Sequence, residues 1–509
     1  MNNQATKKGH PAGLYVLFAT EMWERFNYYG MRAILILFMT KALLFSDAFA
    51  SNLYGSYTGL VYLTPLIGGY IADRYWGNKR SIIVGGLIMA IGEFLLFFCG
   101  SLYDTSESLS TFLFFSGLGF MIAGNGFFKP NISSLVGQLY PPQDRRIDAA
   151  YTIFYMGINV GGALGPFICG IVGDTGDPRD FKWAFLVAGI GMLISVIIQK
   201  IYQDKYVRSP EGKPLGDPAP NAPKQWTNPI LVILGLLVFS GVAIGVLYID
   251  AVLFSFLSYL LIAAVIFIAI VLFSDKSLNR AEKDRIGVIF ITAFFVIFFW
   301  SAFEQAGASL TLFADRQTQR DVGVFTVPAS LFQSLNSIFV IMFAPLFAWL
   351  WLKLGKREPS APTKMAIGLF LLALGYLWIA FGVKDVAPEA KVSMIWLTGM
   401  YALHTWGELC LSPIGLSLVN KLSPLKFGSL LMAVWFLANA AANKLAGVLS
   451  ALYPDGKTTS FVGYEMNTMY DFFMLFVVMA GVAALILFLL TKQLQKMMHH
   501  RDNKTPVDV

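Results

Sequence analysis

The chain has 509 residues, of which 56% are hydrophobic and only 14% charged, and its mean hydropathy is +0.62. Soluble domains carry about 25% charged residues, so this composition excludes a soluble fold and points to a membrane protein. The 38 Lys and Arg outnumber the 31 Asp and Glu, but their placement along the chain, described next, makes that excess a matter of membrane orientation and not a nucleic-acid footprint.

Apolar runs of about 18 residues or more mark candidate transmembrane helices. They predict spans over 14–44, 51–73, 81–101, 110–138, 147–173, 181–200, 229–248, 251–273, 286–313, 326–352, 365–383, 392–420, 427–452 and 467–491. The expected architecture is an all-α integral membrane protein with fourteen spans. With a cytoplasmic N-terminus, only Lys41, Arg179, Lys182, Arg316, Arg320, Lys384, Lys391 and Lys457 fall outside, while Arg25, Arg32, Lys129 and Lys444 lie within spans. All other Lys and Arg fall inside, which predicts two cytoplasmic termini in a cell inner (plasma) membrane. The polar stretch from Met1 to Gly13 leads into a span too long for a signal-peptide core. Cys99, Cys169 and Cys410 lie in or at the ends of spans without metal-ligand spacing, so no metal or cofactor is expected.

The first span is the most unusual. Glu21, Glu24, Arg25 and Arg32 put four charges where hydrocarbon would lie, each costing about 2.5–3.5 kcal/mol on insertion scales. At about 100° per residue, these four with Tyr28 and Tyr29 share an arc of about 140°. Two acids and two bases cancel, so they can pair with one another, and the face should line a wet cavity.

After the second span comes Gly69-Tyr-Ile-Ala-Asp73-Arg74-Tyr-Trp-Gly77-Asn-Lys79-Arg80, readable on its own as a charged turn. Lys129 lies near the middle of the fourth span, before Pro130, and a structural snorkel is its plain alternative. Asn159 lies in the fifth span and Asn336 in the tenth; each has the chemistry to bond a ligand backbone or to join helices. Residues 202–228 hold Pro210, Pro214, Pro218, Pro220 and Pro223 and read as a mobile cytoplasmic linker. The next two spans have only Asp250 between them and read as a lipid-facing hairpin. The organisation expected is a six-span bundle over 1–201, the linker over 202–228, the hairpin over 229–273, and a second six-span bundle with tail over 274–509. Six plus six suits paired bundles with a binding site between them at the midplane.

In the second bundle, Glu304 and Glu408 are acids that fall within spans. Glu304 and Glu408 read plainly as static partners for Arg32 and Lys129, and Asp315 competes for Arg32. His404 reads as a neutral packing residue. Lys444 has no evident role: it snorkels, lines the cavity or pairs with an unidentified acid. The only GK[ST] triplet, Gly456-Lys457-Thr458, has Ala451 where a phosphate-binding loop needs Gly, which excludes ATP hydrolysis by that motif.

The Gly69–Arg80 loop resembles the cytoplasmic loop motif of the major facilitator superfamily, in which small residues let helices approach and the Asp and Arg pair across a gate. Glu21-x-x-Glu24-Arg25-Phe26 with Tyr28-Tyr29-Gly30, and Phe154-Tyr155-x-x-Ile158-Asn159-x-Gly161, resemble the two signatures of the proton-dependent oligopeptide transporters. Phe127-Phe128-Lys129-Pro130-Asn131, Trp300-x-x-x-Glu304-Gln305 and Gly407-Glu408-x-x-x-Ser412-Pro413 extend the likeness over essentially the whole chain. Gly162, where the second signature commonly has Ser, departs from it.

The resemblance implies a proton-coupled symporter of dipeptides and tripeptides, a monomer that is no enzyme and uses no ATP or nucleic acid. It implies a pocket walled by Tyr28, Tyr29, Tyr62, Trp300 and Trp435, with Asn159, Asn336 and Ser412 nearby, and gates closed by Arg32 with Glu304 and by Lys129 with Glu408. A site that accepts many peptides should clamp the termini and leave side chains in roomy pockets. Arg25, Arg32 and Lys129 supply a carboxylate pole and Glu408 an ammonium pole. Protonating Glu21 or Glu24 would release Arg25 to the substrate, with proton entry across 100 mV contributing about 2.3 kcal/mol. The alternatives are a symporter of another small anion such as nitrate, and a channel or receptor on the same scaffold. An ammonium pole at Glu408 has no purpose in nitrate transport.

Overall fold

The computed structural model describes residues 9–141, 144–218, 229–253, 255–387 and 390–499. The far part of the expected linker, 219–228, and both ends of the chain lie outside the described residues. Among the described residues fourteen long helices lie close to the expected spans: α1 Ala12–Leu37, α2 Asp47–Leu63, α3 Asn78–Leu102, α4 Glu107–Gln138, α5 Ile147–Gly173, α6 Phe181–Tyr206, α7 Pro229–Leu253, α8 Phe256–Ser274, α9 Arg280–Phe303, α10 Ser334–Leu354, α11 Ala361–Val383, α12 Met394–Leu422, α13 Gly428–Ser450 and α14 Met469–Met497. Eleven of the described helices are long and apolar enough to cross a bilayer; α1, α2 and α12 are not among them. Two short β ladders, Thr318–Gln319 beside Val392–Ser393 and Thr459–Phe461 beside Tyr464–Met466, occur in loops.

The contacts divide the chain into two compact units, which do not follow chain order. The first comprises the described residues of Met1–Leu44 and Leu63–Tyr248, and the second those of Phe45–Tyr62 and Ile249–Val509. Thus α2 belongs to the second unit as far as Tyr62, and α7 changes unit two residues before Asp250.

Within the first unit, glycines let helices come close enough to place side chains accurately. A Cβ on Gly161 would lie 2.2 Å from the Met22 carbonyl and 2.8 Å from Arg25 Cβ, so only glycine at this point of α5 allows α1 to bring its charged face so near. Pro130 has no N–H to give the carbonyl of Gly126 one turn back. Gly68 packs on that carbonyl so closely that a Cβ there would sit 2.0 Å from it. Asn131 Nδ2 donates to the Phe127 carbonyl one turn back at 2.6 Å. The start of α1 is tied down by the segment before α5. Arg146 Nη1 donates to the Gly9 carbonyl at 2.6 Å, and the same side chain forks onto Asp144, holding that carboxyl down to about 2.

Three expected elements differ in form. The second span bends at Thr64, where Pro65 opens a separate helix, Pro65–Ile71. The ninth is not continuous: α9 ends at Phe303, a tight turn covers Glu304–Gly307, and Ser309–Gln317 restarts the helix. Gly307 is required there, because a Cβ would meet Tyr54 Oη at 1.7 Å. Finally, α6 runs on to Tyr206 and the chain then folds back, with Leu215 N donating to the Val207 carbonyl at 3.1 Å and Gln203 Nε2 to the Leu215 carbonyl at 2.9 Å. The first part of the proline-rich segment is therefore fixed by backbone bonds and not free.

The outward faces of α7 and α8 are apolar and exposed: Ile233, Leu234, Leu237 and Val238 on one, Tyr259, Ile262, Ile266 and Phe267 on the other. In a spanning helix such a face meets lipid. The opposite side of α7 places Val232 and Leu236 against Trp76, Ile88, Ala123 and Phe127 of the first unit.

Candidate functional site

The charged face of α1 is buried inside the first unit. Glu21 and Glu24 are 2% and 0% exposed, and Arg25 2%. Arg25 Nε lies 3.0 Å from Glu21 Oε1, one helical turn back, and 2.5 Å from Glu24 Oε2, while Nη2 donates to Glu24 Oε1 at 2.9 Å. Asn125 Nδ2 on α4 makes a longer contact to the same Oε1 at 3.4 Å. Lys129, one turn beyond Asn125 and half-buried, lies within electrostatic range of both carboxylates. One guanidinium clasped by two acids, with a second cation close by, is a cluster whose pairing depends on how many protons it holds.

Aromatic rings cover the bases. Arg25 lies over the rings of Tyr28 and Tyr29 at 5.5 and 6.0 Å, and Arg32 over Tyr29 at 5.2 Å. The two tyrosines meet edge to face at 5.3 Å. These six residues share the face expected of them. Asn159 does not join it by the contact seen, since its Nδ2 donates to the Tyr155 carbonyl of its own helix at 3.0 Å.

The second unit holds a separate acidic group. Glu408 of α12 is buried, and its Oε2 accepts from Asn336 Nδ2 of α10 at 2.8 Å. The same amide nitrogen lies 3.1 Å from Thr405 Oγ1, which in turn donates to the Tyr401 carbonyl at 2.8 Å. Glu304, in the break after α9, is also buried and within electrostatic range of Glu408. Irregular backbone at this depth is tolerated where it lines a polar cavity or is enclosed by protein. Gln305 closes the enclosed side by donating to the carbonyls of Ser301 and Ala446 and accepting from Ser309 Oγ. Trp300 stacks edge to face with Phe299 and Phe303. Trp435 is buried against Gly415, where a Cβ would lie 2.1 Å from its ring. Ser412, Asn336 and Tyr62 are half-buried.

The sequence model of the POT family matches residues 79–469, most of the chain. This chain belongs to the POT family. Relatives bear this out along nearly the full length. The peptide transporter YePEPT of Yersinia enterocolitica is 36% identical over 87% of this chain and 88% of its own. The uncharacterized transporter YclF of Bacillus subtilis is 37% identical over 89% of this chain and 90% of its own. A crystal structure of a POT family transporter with a thioalcohol-conjugated peptide superposes with a TM-score of 0.79 at 31% identity, covering 96% of this chain and 98% of that one. The fold is therefore that of the major facilitator superfamily, and the chain is a multi-pass membrane transporter of a family of transporters, not enzymes.

Within this POT-family fold, other sequence-derived residues have partners outside the two polar groups. His404 is buried with its ring 4.7 Å from Tyr376 and 6.2 Å from Phe303, in the surroundings of a packing residue. Asp315 bonds Arg320 at 3.0 Å. In the loop motif, Gly69 meets Pro130 in ordinary contact, and Gly77 turns the chain with a φ of 76° before α3. Asp73 and Arg74 are exposed, Arg80 is half-buried, and Lys79 pairs with Asp204 of α6 while its backbone N–H bonds the Gly216 carbonyl.

Lys444 has a partner the sequence did not identify. Its Nζ lies 2.7 Å from Asp250 Oδ2 and donates to Ser56 Oγ at 2.9 Å, all three being fully or almost fully buried in the second unit. Ser56 also donates to Asp250, whose other oxygen accepts from Leu257 N at 2.8 Å. Asp250 is thus not a residue of the turn between the hairpin helices: it lies inside the end of α7 and joins α2, α7, α8 and α13. The signal was present, a lone acid and a lone base in two helices with no other charged residue, since an unpaired charge in an apolar span is too costly to stand. Asn125 was also missed, although it lies four residues before Lys129 on the same face of α4.

Proposed function

We propose that the protein imports dipeptides and tripeptides by proton symport with alternating access. The observation that carries this reading is the clasp of Arg25 by Glu21 and Glu24 beside Lys129, in a chain whose relatives include peptide transporters. Proton binding at the acids weakens their hold on Arg25, and the freed guanidinium takes the carboxylate end of a peptide. Glu408, braced by Asn336, receives the ammonium end. Tyr28, Tyr29, Tyr62, Trp300 and Trp435 wall the pocket, with Asn159 and Ser412 as further polar contacts. Loss of the proton inside restores the clasp and expels the peptide.

In this proposal residues 1–201 and 274–509 act as the two moving bundles, with 202–228 linking them and 229–273 as an inserted hairpin. Arg32 with Glu304 and Lys129 with Glu408 serve as pairs that form and break as the site changes sides, and Gly69, Asp73, Arg74, Gly77, Lys79 and Arg80 form the cytoplasmic gate motif. The protein works as a monomer in the cell inner membrane with both termini in the cytoplasm. Uptake of labelled dialanine into proteoliposomes tests the substrate class. Saturable uptake, inhibited by unlabelled tripeptides and unaffected by nitrate, is the expected result. Inhibition by nitrate without inhibition by tripeptides overturns the proposal.

A further inference from the structure

Glu93, in the middle of α3, belongs to neither polar group. It is fully buried, at 0% exposed, and is bonded by Asn27, which is also at 0%. Asn27 lies two residues after Arg25 and so projects from the opposite side of α1, at about 200° around the helix. Its Nδ2 donates to the Ala188 carbonyl of α6 at 3.0 Å and to Glu93 Oε1 at 2.9 Å. A carbonyl can only accept, so the bond to Ala188 fixes which end of the amide is nitrogen. That leaves two buried oxygens without a hydrogen-bond partner, Asn27 Oδ1 and Glu93 Oε2.

Among the described residues no charged group acts on Glu93, and its hydrogen-bond partner is Asn27. Gly189 of α6 presents backbone, its Cβ position 3.1 Å from Glu93 Cβ. Cys169 of α5 is within electrostatic range, and its thiol is directed to the Ala184 carbonyl at 3.6 Å. Among the described residues no cation pairs with Glu93. An ionised carboxylate would then sit in the interior with a single amide donor, and Asn27 Oδ1 would have none. One proton removes both deficits: on Glu93 Oε2 it turns an orphaned acceptor into a donor, and the orphaned acceptor on the same pair of side chains is Asn27 Oδ1.

We infer that Glu93 and Asn27 form a second proton-binding site, a neutral carboxylic acid closed into a ring of reciprocal hydrogen bonds with the amide, that keeps its proton throughout the transport cycle. The site is separate from the Glu21, Glu24 and Arg25 cluster and does not depend on which solute is carried. Its work is positional. It fixes the far side of α1 to α3 and α6, so that proton movement on the near side changes the pairing of Arg25 without shifting the helix. The proton held here is not counted among those transported.

Infrared difference spectroscopy on the full-length protein in lipid at neutral pH tests this. Subtracting the spectrum of Glu93→Gln from that of the wild type leaves the carbonyl band of a hydrogen-bonded carboxylic acid. Gln reproduces the shape and the donor, so uptake by Glu93→Gln and its pH profile stay at the wild-type level. Asn27→Ala, which leaves the acid without its partner, moves the band to the higher frequency of an unbonded acid and supplies the readout if the first variant folds poorly. The inference is overturned if neither variant alters the carboxylic-acid region. It is equally overturned if Glu93→Gln folds but loses gradient-driven accumulation with a flattened pH profile, because the proton at Glu93 would then be one that moves.

Discussion

Glu24→Gln binds peptide as well as the wild type or better, exchanges peptide for peptide, and loses proton-driven accumulation. The reason lies in what the variant keeps and what it removes. Gln has the shape and hydrogen-bonding reach of the acid, so Asn125 and Arg25 still have a neighbour, but the two bonds that Arg25 Nε and Nη2 make to Glu24, at 2.5 and 2.9 Å, lose their charge assistance. Arg25 then remains available to a substrate carboxylate at every pH. Exchange needs only a cavity that opens to each side. Net uptake needs a proton to leave on the inside and the clasp to re-form, and Gln has no proton to release. Glu21→Gln has the same direction and a smaller effect, because Glu21 touches Arg25 through one oxygen. Counterflow of labelled dialanine, compared with uptake under an imposed proton gradient, separates the two steps. If Glu21→Gln, Glu24→Gln and the double variant all still concentrate peptide with an unchanged pH profile, the carrier is another acid.

Glu408→Gln weakens binding of an ordinary dipeptide roughly tenfold or more and has little effect on an N-acetylated one. The Asn336 bond holds the Glu408 carboxyl in one orientation within the second unit, and in the proposed site it is the pole that receives the peptide ammonium. Hydrogen bonds to charged groups contribute about 1.5–3 kcal/mol, and about 1.4 kcal/mol is a factor of ten in affinity. The free peptide ammonium loses that pole in the variant. The N-acetylated peptide has no ammonium to lose, and it binds the wild type poorly because it brings no cation to Glu408, which then has only the Asn336 amide. Competition assays against labelled dialanine, with each peptide on each protein, give the comparison. Equal loss of both peptides on substitution would assign Glu408 to packing or gating and not to the ammonium.

Much of this organisation was readable from residues alone, for identifiable reasons. The pairing of Glu21 with Arg25 follows from helical spacing, which needs no tertiary information, and the 3.0 Å contact has that origin. Long apolar runs account for eleven of the described helices because length and hydropathy are local properties, while α1, α2 and α12 fall short on that measure. What was hidden depended on groups far apart in sequence or on backbone detail. Lys444 and Asp250 are 194 residues apart, and nothing local says that the end of α7 reaches α13. The break at Glu304–Gly307 carries no proline, and its one cue, Gly307, acquires meaning only from Tyr54 lying against it. The prolines of 202–228 suggested a free segment, yet Leu215, beside Pro214, bonds the Val207 carbonyl through its N–H and accepts from the Gln203 side chain of α6, contacts that composition does not encode. Glu93 was overlooked for a related reason, since its partner Asn27 stands on the side of α1 away from the charges that drew notice.

Coupling is the central claim, and proton movement driven by peptide alone tests it most directly. Proteoliposomes loaded with a pH-sensitive dye start with equal pH on both sides, the membrane potential clamped at zero, and dialanine added outside only. The lumen acidifies as dialanine enters, at a rate that saturates with peptide concentration, and a protonophore abolishes the signal without stopping peptide entry. Entry of labelled dialanine at the same rate with no change in luminal pH would contradict the account.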